Sequence, residues 1–527
     1  MDTRRVLRTT GTLIAAAGLL VSGCTAGGSG SEAAASVPAP GRLAGQTGES
    51  ARPEATPAAL APYYAQKLSW RACGAPGFEC ATLKAPLDYD RPASQGGKDI
   101  ALAVARKKAT GPGKRLGSLL VNPGGPGGSA IAYLQGYAGI GYPAAVRARY
   151  DMVAVDPRGV ARSAPVTCLD GPAMDAYTQV DQTPDDQAEQ SRLVAAFKRF
   201  AAGCEGRSGT VLPHVSTVEA ARDMDLLRAV VGDRKLNYVG ASYGTLLGAT
   251  YADLFPSRVG RLVLDGAMDP TRSALELNRD QTEGFETAFR SFAKDCAKHA
   301  DCPLGSGGPD DQARRLQDFF KKLDAQPVAT GEKRTLGEAL ATTGVIAAMY
   351  DESAWPQLRE AIAQAQNGDG AGLLALADSY YEREPDGSYQ NLMFANAAVN
   401  CLDLPPAFSG PQAVTAALPS FRKASPTFGP GLAWAALNCA YWPVEPTGTP
   451  RRLEAKGAAP IVVVGTVRDP ATPYKWAKAL ASQLDSGTLL TYDGDGHTAY
   501  GRGSDCIDTA INRYLLEGTP PADGKRC

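Results

Sequence analysis

Short apolar segments alternate with longer amphipathic segments over residues 80–268. Apolar runs that predict strands occupy residues 100–105, 118–121, 152–155, 236–239 and 262–264. The later runs are followed at once by Gly, Asn or Asp, which is typical of buried parallel strands. Between two of them, residues 216–231 have helical spacing, with a capping box predicted at Ser216 and Glu219. This order predicts an α/β fold with a mostly parallel sheet.

The pattern changes over residues 270–440, where amphipathic helices are predicted without strong strands, for example at 336–350 and 357–365. Strand-like sequence returns at 461–464 and 489–491. A sheet that is interrupted by a helical insertion and then completed fits this order better than two tandem domains. The sequence predicts a first part of the core at residues 61–269, a helical cap insertion at 270–440 and a C-terminal part of the core at 441–527.

The N-terminus has the pattern of an export signal. Three arginines within the first eight residues precede an apolar run at 13–21, which is too short to span a bilayer as a mature helix. Val21-Ser22-Gly23-Cys24 resembles a bacterial lipobox, so we predict a signal peptide at 1–23 and acylation of Cys24. An ordinary cleavage site with an incidental cysteine is the alternative. Residues 24–60 are rich in small residues and proline, as expected of a flexible tether to the outer face of the cell membrane.

The cysteine count supports export. There are eleven cysteines, and one acylated cysteine leaves an even set of ten for an oxidising compartment. Many connectivities are open to ten cysteines, and pairing of sequence neighbours is our hypothesis. The neighbouring pairs are Cys73 with Cys80, Cys168 with Cys204, Cys296 with Cys302, Cys401 with Cys439, and Cys506 with Cys527. Metal binding is the weaker interpretation because no CxxC pair occurs and histidines are few.

Composition excludes some partners. The 527 residues are 44% hydrophobic and 21% charged, and 54 basic residues balance 55 acidic ones, for a net charge of −1. This is ordinary globular composition without the basic excess that nucleic-acid binding needs. We therefore expect no nucleic-acid partner, and no motif predicts a metal or cofactor.

Gly240-Ala241-Ser242-Tyr243-Gly244 is a G-x-S-x-G pentapeptide, the pattern of a nucleophile elbow. It follows the predicted strand at 236–239 and precedes a helical segment, which is the context that the motif requires. The flanking glycines are needed because side chains would collide at a strained strand-to-helix turn. The pattern predicts Ser242 as a nucleophile, and a Gly-rich turn is the alternative.

A serine hydroxyl needs a base, and the base needs an acid to fix its tautomer. His497 follows the predicted strand at 489–491, and Asp469 follows the one at 461–464, so the chain order Ser, Asp, His is that of α/β-hydrolases. Asp265 and Asp269 compete for the role of the acid because they follow another strand. We prefer Asp469, since Asp265-Gly266 is equally typical of a turn.

Two further histidines are present, so the choice of base is narrow. His299 lies between two cysteines of the predicted cap and is interpreted as a surface residue, whereas His214 precedes the predicted helix at 216–231 and is interpreted as structural. His497 is therefore the predicted base.

Acyl transfer also needs donors for an oxyanion. A glycine-rich loop, Asn122-Pro-Gly-Gly-Pro-Gly-Gly-Ser129, follows the predicted strand at 118–121 and lets backbone amides approach a substrate. We predict the N–H groups of Gly125 and Tyr243 as the two donors. A phosphate-binding loop is disfavoured because the Lys-Ser/Thr ending is missing and the two prolines have no N–H.

Together these motifs resemble the secreted tripeptidyl aminopeptidases of actinobacteria, in the prolyl-aminopeptidase branch of the α/β-hydrolases. The residues that carry the resemblance are Asn122 to Ser129, Asp156-Pro-Arg-Gly159 with Ser163-Ala-Pro165, Gly240 to Thr245, Asp469-Pro-Ala-Thr-Pro473 and Gly494-Asp-Gly-His-Thr498. The likeness runs from about residue 70 to residue 527. It implies that Ser242, Asp469 and His497 are catalytic, and the lipobox implies the membrane-anchored, mycelium-associated proteinase subgroup.

The resemblance implies release of short peptides from the free N-termini of peptides or proteins. Such an exopeptidase must bind an ammonium group, for which carboxylates of the cap are suitable. The candidates are Asp351, Glu352, Glu382, Glu384 and Asp403. A carboxylesterase for small or lipid-derived esters and a non-catalytic surface binding lipoprotein are the alternatives.

Overall fold

Ten strands form a single sheet in the computed structural model, which describes residues 57–527. The strands are β1 (Arg71–Ala72), β2 (Phe78–Pro86), β3 (Asp99–Lys107), β4 (Gly117–Asn122), β5 (Tyr150–Val155), β6 (Leu236–Ala241), β7 (Val259–Asp265), β8 (Ile461–Arg468), β9 (Gly487–Asp495) and β10 (Lys525–Arg526). Their order is β1-β2-β3-β5-β4-β6-β7-β8-β9-β10, and the pairs from β5 to β10 are parallel. The predicted α/β-hydrolase fold with a mostly parallel sheet is thereby confirmed.

The seven predicted strands lie within β3 to β9. The prediction missed β2, which pairs antiparallel with β3 near one edge of the sheet. Its sequence, FECATLKAP, mixes buried and exposed positions and has no continuous apolar run. The prediction also missed β1 and β10, because two residues give no pattern to detect.

The central strands are buried because helices cover both faces of the sheet. All six residues of β4 are buried, and so are the first six of β8. Neighbouring residues of one strand serve opposite faces: Leu120 belongs to the larger apolar cluster, whereas Leu119 and Val121 belong to the cluster on the other face. The larger cluster continues without a break into the helices that follow β7.

The α-helices follow one another along the chain as α1 (Ala61–Tyr64), α2 (Ala130–Tyr133), α3 (Gly139–Gly141), α4 (Ala144–Arg147), α5 (Gly171–Thr178), α6 (Gln187–Ser208), α7 (Thr217–Val230), α8 (Tyr243–Leu254), α9 (Ala274–Cys296), α10 (Pro309–Ala325), α11 (Glu338–Met349), α12 (Trp355–Gln366), α13 (Ala371–Tyr381), α14 (Leu392–Asp403), α15 (Pro411–Ala424), α16 (Gly429–Ala435), α17 (Tyr474–Gln483) and α18 (Asp505–Glu517). Helices α9 to α16 lie between β7 and β8, which are neighbours in the sheet. We call α9 to α16 with their connecting loops the cap.

The capping box predicted at the start of α7 is only half formed. Ser216 caps α7 by accepting a hydrogen bond from the backbone of Glu219. The reciprocal half of the predicted capping box is not formed in the described structure, because the Glu219 carboxylate pairs with the buried Arg158 at 3.2 Å. Pairing with the buried guanidinium is favoured because a buried charge without a partner is costly.

Five disulfides join the sequence neighbours in the predicted pairs. They are Cys73–Cys80, Cys168–Cys204, Cys296–Cys302, Cys401–Cys439 and Cys506–Cys527. The predicted signal peptide, Cys24 and most of the predicted tether lie outside the described residues. Within residues 57–527, no helix is both long enough and apolar enough to cross a membrane.

Candidate active site

Ser242 lies at a sharp turn between β6 and α8. Its backbone has φ 57° and ψ −125°, a conformation that non-glycine residues rarely adopt. The flanking glycines are required by contacts: a Cβ on Gly240 would lie 2.3 Å from Gly244 O, and one on Gly244 would lie 2.9 Å from Asn122 O. This is the strained elbow that the pentapeptide predicts, and it leaves the Ser242 side chain partly exposed.

His497 and Asp469 meet where two neighbouring strands, β8 and β9, end. His497 Nδ1 lies 2.9 Å from Asp469 Oδ1 and 3.0 Å from Oδ2. The carboxylate is 2% exposed and accepts the backbone N–H groups of Ala471 and Thr472 at 2.9 and 2.8 Å. An ionised carboxylate makes Nδ1 the donor, so Nε2 is left to accept a proton. Among the described residues, His497 Nε2 is buried and has no hydrogen-bond partner.

The two competing aspartates have other partners. Asp265 accepts the backbone N–H groups of Ala499 and Tyr500, and burial raises the pKa of its carboxyl. Asp269 pairs with Arg272 at 3.0 Å. Asp265 thus holds the chain just after His497, but the structure places Asp469 against the imidazole. The preference for Asp469 agrees with this geometry.

Thr472 was missed by the sequence analysis. Its hydroxyl lies 3.0 Å from Asp469 Oδ2 and 3.3 Å from His497 Nδ1, so it contacts both groups. Gly266 makes room beside them, since a Cβ there would lie 3.2 Å from His497 Cε1. The only sequence signal is a threonine three residues after an aspartate, which is a common local turn.

The glycine-rich loop lies against the elbow. A Cβ on Gly124 would lie 2.9 Å from both Ser242 Cβ and Tyr243 N, so only glycine permits this approach. Tyr243 is the first residue of α8, and its N–H therefore has no acceptor within the helix. Gly125 is the next residue of the same loop. These positions suit the two predicted oxyanion donors.

Asp156 anchors the other end of this loop, a role that sequence reasoning did not assign. It accepts hydrogen bonds from Ser129 Oγ at 2.8 Å and Ile131 N at 3.0 Å. Burial raises the pKa of the Asp156 carboxyl. The Asp-Pro-Arg-Gly motif thus supports the site from β5 without touching Ser242.

The other histidines are not close to a catalytic set. His299 is 42% exposed and lies 3.8 Å from Asp295. His214 lies 3.5 Å from Glu219, which is already paired with Arg158. Their surroundings agree with the surface and structural interpretations.

The five cap carboxylates differ in their partners. Asp351 pairs with Arg502, and Asp403 accepts the N–H and hydroxyl of Thr217. Glu384 accepts from Gln390 Nε2 at 2.8 Å. Glu352 is exposed. Glu382 alone of the five combines partial burial with a carboxylate for which the described residues provide no hydrogen bond or ion pair.

Two groups of side chains in the described part of the chain have the spacing to hold a cation, and the first is Asp88, His214 and Glu219, of which Glu219 already pairs with Arg158. The second is acidic throughout. The carboxylates of Asp181, Asp324 and Glu338 offer oxygens within 4.8 Å of one another. Burial and the neighbouring charges raise the pKa of Glu338 to about 7. No catalytic residue belongs to this cluster, and proton sharing explains it without a metal.

Two sequence profiles match the chain. The α/β-hydrolase fold profile covers residues 117–307, and a profile described as TAP-like protein covers residues 425–527. Together they span the elbow, Asp469 and His497. Among solved structures, esterase E22 aligns with 83% of this chain and 100% of its own at 13% identity, with a TM-score of 0.37.

Three named relatives match nearly the whole chain. Serine protease Hip1 of Mycobacterium tuberculosis is 38% identical and aligns over 88% of this chain and 92% of its own. Carboxylesterase B of the same organism is 37% identical, with 92% and 94% covered. Tripeptidyl aminopeptidase of Streptomyces lividans is 34% identical, with 90% and 89% covered.

The fold and these similarities define the protein as an α/β-hydrolase enzyme of the serine hydrolase class. The chain belongs to the TAP-like family, together with the tripeptidyl aminopeptidases and Hip1.

Proposed function

We propose that this enzyme is an exported serine aminopeptidase that releases short peptides, with tripeptides as the expected product, from free N-termini. Relatives named serine protease and tripeptidyl aminopeptidase support peptidase activity. The observations that carry the catalytic part are the imidazole of His497 held by the buried Asp469 and the strained elbow that holds Ser242.

The proposed reaction follows from this geometry. Ser242 Oγ attacks the scissile carbonyl while His497 Nε2 takes its proton, and Asp469 stabilises the imidazolium. The N–H groups of Gly125 and Tyr243 hold the oxyanion of the tetrahedral intermediate. His497 then returns the proton to the leaving amine, and water releases the peptide from the acyl-enzyme by the same steps.

Glu382 is our choice for binding the substrate ammonium. Burial and the charge of Glu384 raise the pKa of its carboxyl, as expected of an acid that awaits a cation. Its φ of 52° is the left-handed conformation that commonly ends a helix, and its N–H closes α13 by donating to Asp378 O.

The surroundings of Glu382 connect it with the catalytic groups. It follows Tyr380 and Tyr381, and the ring of Tyr380 lies 6.2 Å from that of Tyr350, which in turn contacts the ring of His497 at 5.5 Å. Further along the chain, Leu392 packs against Gly125. In sequence, Glu382 therefore lies between a residue linked to the base and a residue that contacts the oxyanion loop.

Paired substrates test this assignment. Peptide amides with a free N-terminus and the same peptides after acetylation should be cleaved at rates that differ by about 100-fold, since a partly buried carboxylate that pairs with the ammonium has no partner in the blocked form. Glu382→Gln should remove most of this difference. Glu360→Gln, an exposed cap position on α12, is the matched control. Equal cleavage of both substrates by the unchanged enzyme would contradict the aminopeptidase proposal.

Carboxylesterase activity is the second candidate, because the relative named carboxylesterase B is almost as similar as Hip1. It predicts that esters are turned over faster than any free peptide and that Glu382→Gln leaves this turnover unchanged. A non-catalytic surface protein is separated from both enzymes by a fluorophosphonate, which should label Ser242 and should not label Ser242→Ala.

We also propose that the enzyme is anchored by a lipid on Cys24, outside the cytoplasm. The sequence at residues 21–24 and the five disulfides support this location. Metabolic labelling with palmitate should mark the full-length protein in the membrane fraction. Cys24→Ala should lose the label and leave the membrane fraction, and label retained by this variant would contradict the anchor.

A further inference from the structure

Arg502 connects the cap with the loop that carries His497. Its Nη1 donates to His497 O at 2.6 Å and to Tyr350 O at 3.3 Å. Its Nη2 pairs with Asp351 at 3.1 Å. Tyr350 and Asp351 directly follow α11 of the cap, so one guanidinium joins two cap residues to the backbone of the predicted base.

His497 makes a second contact with the same cap residue. Its own N–H donates to Tyr350 O at 2.8 Å, and the Tyr350 ring packs against the imidazole edge-to-face at 5.5 Å. The Tyr350 carbonyl therefore accepts from both His497 N and Arg502. Displacement of the cap would remove both hydrogen bonds at once.

Gly496 shows how tightly these groups fit. Its φ is +86°, and a Cβ at this position would lie 2.8 Å from Arg502 Nη2 and 3.1 Å from Tyr350 O. The glycine before His497 is thus needed to let the guanidinium and the cap carbonyl approach. This accounts for a residue of the Asp-Gly-His motif that proton transfer does not use.

The remaining restraints on the loop come from the sheet side. Ala499 N and Tyr500 N donate to Asp265, and Thr498 N lies 3.3 Å from Asp469 Oδ2. Asp469 fixes the rotation of the imidazole through Nδ1, but Nε2 has no partner among the described residues. The distance from Nε2 to Ser242 therefore depends on where the backbone of His497 is held.

We propose that Arg502 is a positioning residue that sets the backbone of His497 and makes its alignment depend on the docked cap. A charged donor is suited to this role because hydrogen bonds to ionised groups are about twice as strong as neutral ones. The proposal rests on His497 being the catalytic base. It is independent of whether the substrate is a peptide or an ester.

A simple chromogenic ester tests the proposal without assuming peptide specificity. Arg502→Gln should lower kcat by about 10- to 100-fold, because a small misplacement of a catalytic group has effects of this size. KM should change less than about threefold, since no substrate contact is removed. Arg513→Gln, which breaks an exposed ion pair on α18, is the matched control and should leave kcat unchanged. An Arg502→Gln enzyme with kcat within twofold of the parent would overturn the proposal.

Rescue separates positioning from a general loss of structure. Arg502→Lys should recover part of the lost kcat, because an ammonium can reach one carbonyl but lacks the planar fork that reaches both carbonyls and Asp351. Arg502→Ala should regain turnover when methylguanidinium is added at millimolar concentration, with no change in thermal midpoint. If neither lysine nor methylguanidinium restores kcat in a folded variant, Arg502 does not act through the His497 backbone.

The same ester distinguishes failure of this proposal from failure of the catalytic assignment. Loss of turnover in Ser242→Ala and His497→Ala together with full turnover in Arg502→Gln refutes only the role of Arg502. Turnover that survives His497→Ala refutes both.

Discussion

Two partly or fully buried carboxylates, Asp469 in the core and Glu382 in the cap, contrast in how they are satisfied. Asp469 accepts hydrogen bonds from two backbone amides, the Thr472 hydroxyl and His497. Glu382 has no such partner among the described residues, and the pKa of its carboxyl is raised. A saturated carboxylate can orient a histidine before substrate arrives, whereas a carboxylate without a protein partner is free to pair with a cationic ligand. In our proposal the core supplies preorganised chemistry, and the cap supplies selection.

Asp469→Asn should have the largest effect. The amide would favour the wrong tautomer of His497, so kcat should fall by about 10³- to 10⁴-fold on every substrate, with little change in fold. Asp269→Asn is the comparison, because Asp269 pairs with Arg272 and does not contact the imidazole. If Asp469→Asn keeps nearly the parent kcat on both an ester and a peptide, Asp469 does not orient His497 for catalysis.

Glu382→Gln should have a smaller and selective effect. A neutral amide cannot pair with an ammonium, so kcat/KM for substrates with a free N-terminus should fall by about 10- to 100-fold. Turnover of the ester and labelling by a fluorophosphonate should be unchanged, because the catalytic groups remain. Parallel losses on ester and peptide would show that Glu382 supports the site instead of selecting substrate.

Asp156→Asn tests the support of the oxyanion loop and should have a smaller effect than either of these substitutions. Both hydrogen bonds, from Ser129 and Ile131, end on Asp156 Oδ1, so an amide can keep them but loses the negative charge and the acceptor for Arg162 N. We therefore expect kcat to fall about threefold to tenfold, with KM nearly constant. Equal kcat for this variant and its parent would show that the loop needs no anchor at β5.

At Asp403, a cap carboxylate that already has partners, we expect an effect on stability and the smallest effect on turnover. Burial raises the pKa of its carboxyl to about 6, above the ordinary value of 3.8. Between these values the folded state binds more protons than the unfolded state, so the group's contribution to stability falls as pH rises from about 4 to about 6. Relative to Asp403→Asn, the parent should lose about 1–3 kcal/mol over this window. Urea unfolding at pH 4.5 and pH 7.5 checks the sign, with Glu360→Gln as control, and a constant difference would contradict the raised pKa.

The sequence predicted the core well because its signals are local. Continuous apolar runs identify the buried strands β4, β5 and β8, and the elbow glycines follow from the turn itself. Strand β2, next to the edge strand β1, escaped detection because buried, partly buried and exposed positions are mixed along it.

The cap and its contacts were less predictable because they depend on tertiary packing. Thr472 and Arg502 acquire their roles only when loops from different strands and helices meet. Five cap carboxylates were indistinguishable by sequence. The structure separates Glu382 from three of them by their partners and from Glu352 by its exposure. The contrast between the two carboxylates is therefore a property of the folded chain.

A peptide digest read by mass spectrometry tests the central claim most directly. A library of peptides with free N-termini and its acetylated copy are incubated with the full-length enzyme and with Ser242→Ala. We predict short N-terminal products, chiefly tripeptides, from the free library, almost none from the acetylated copy, and none with Ser242→Ala. Internal cleavage of both libraries at similar rates, or products that persist with Ser242→Ala, would contradict the account.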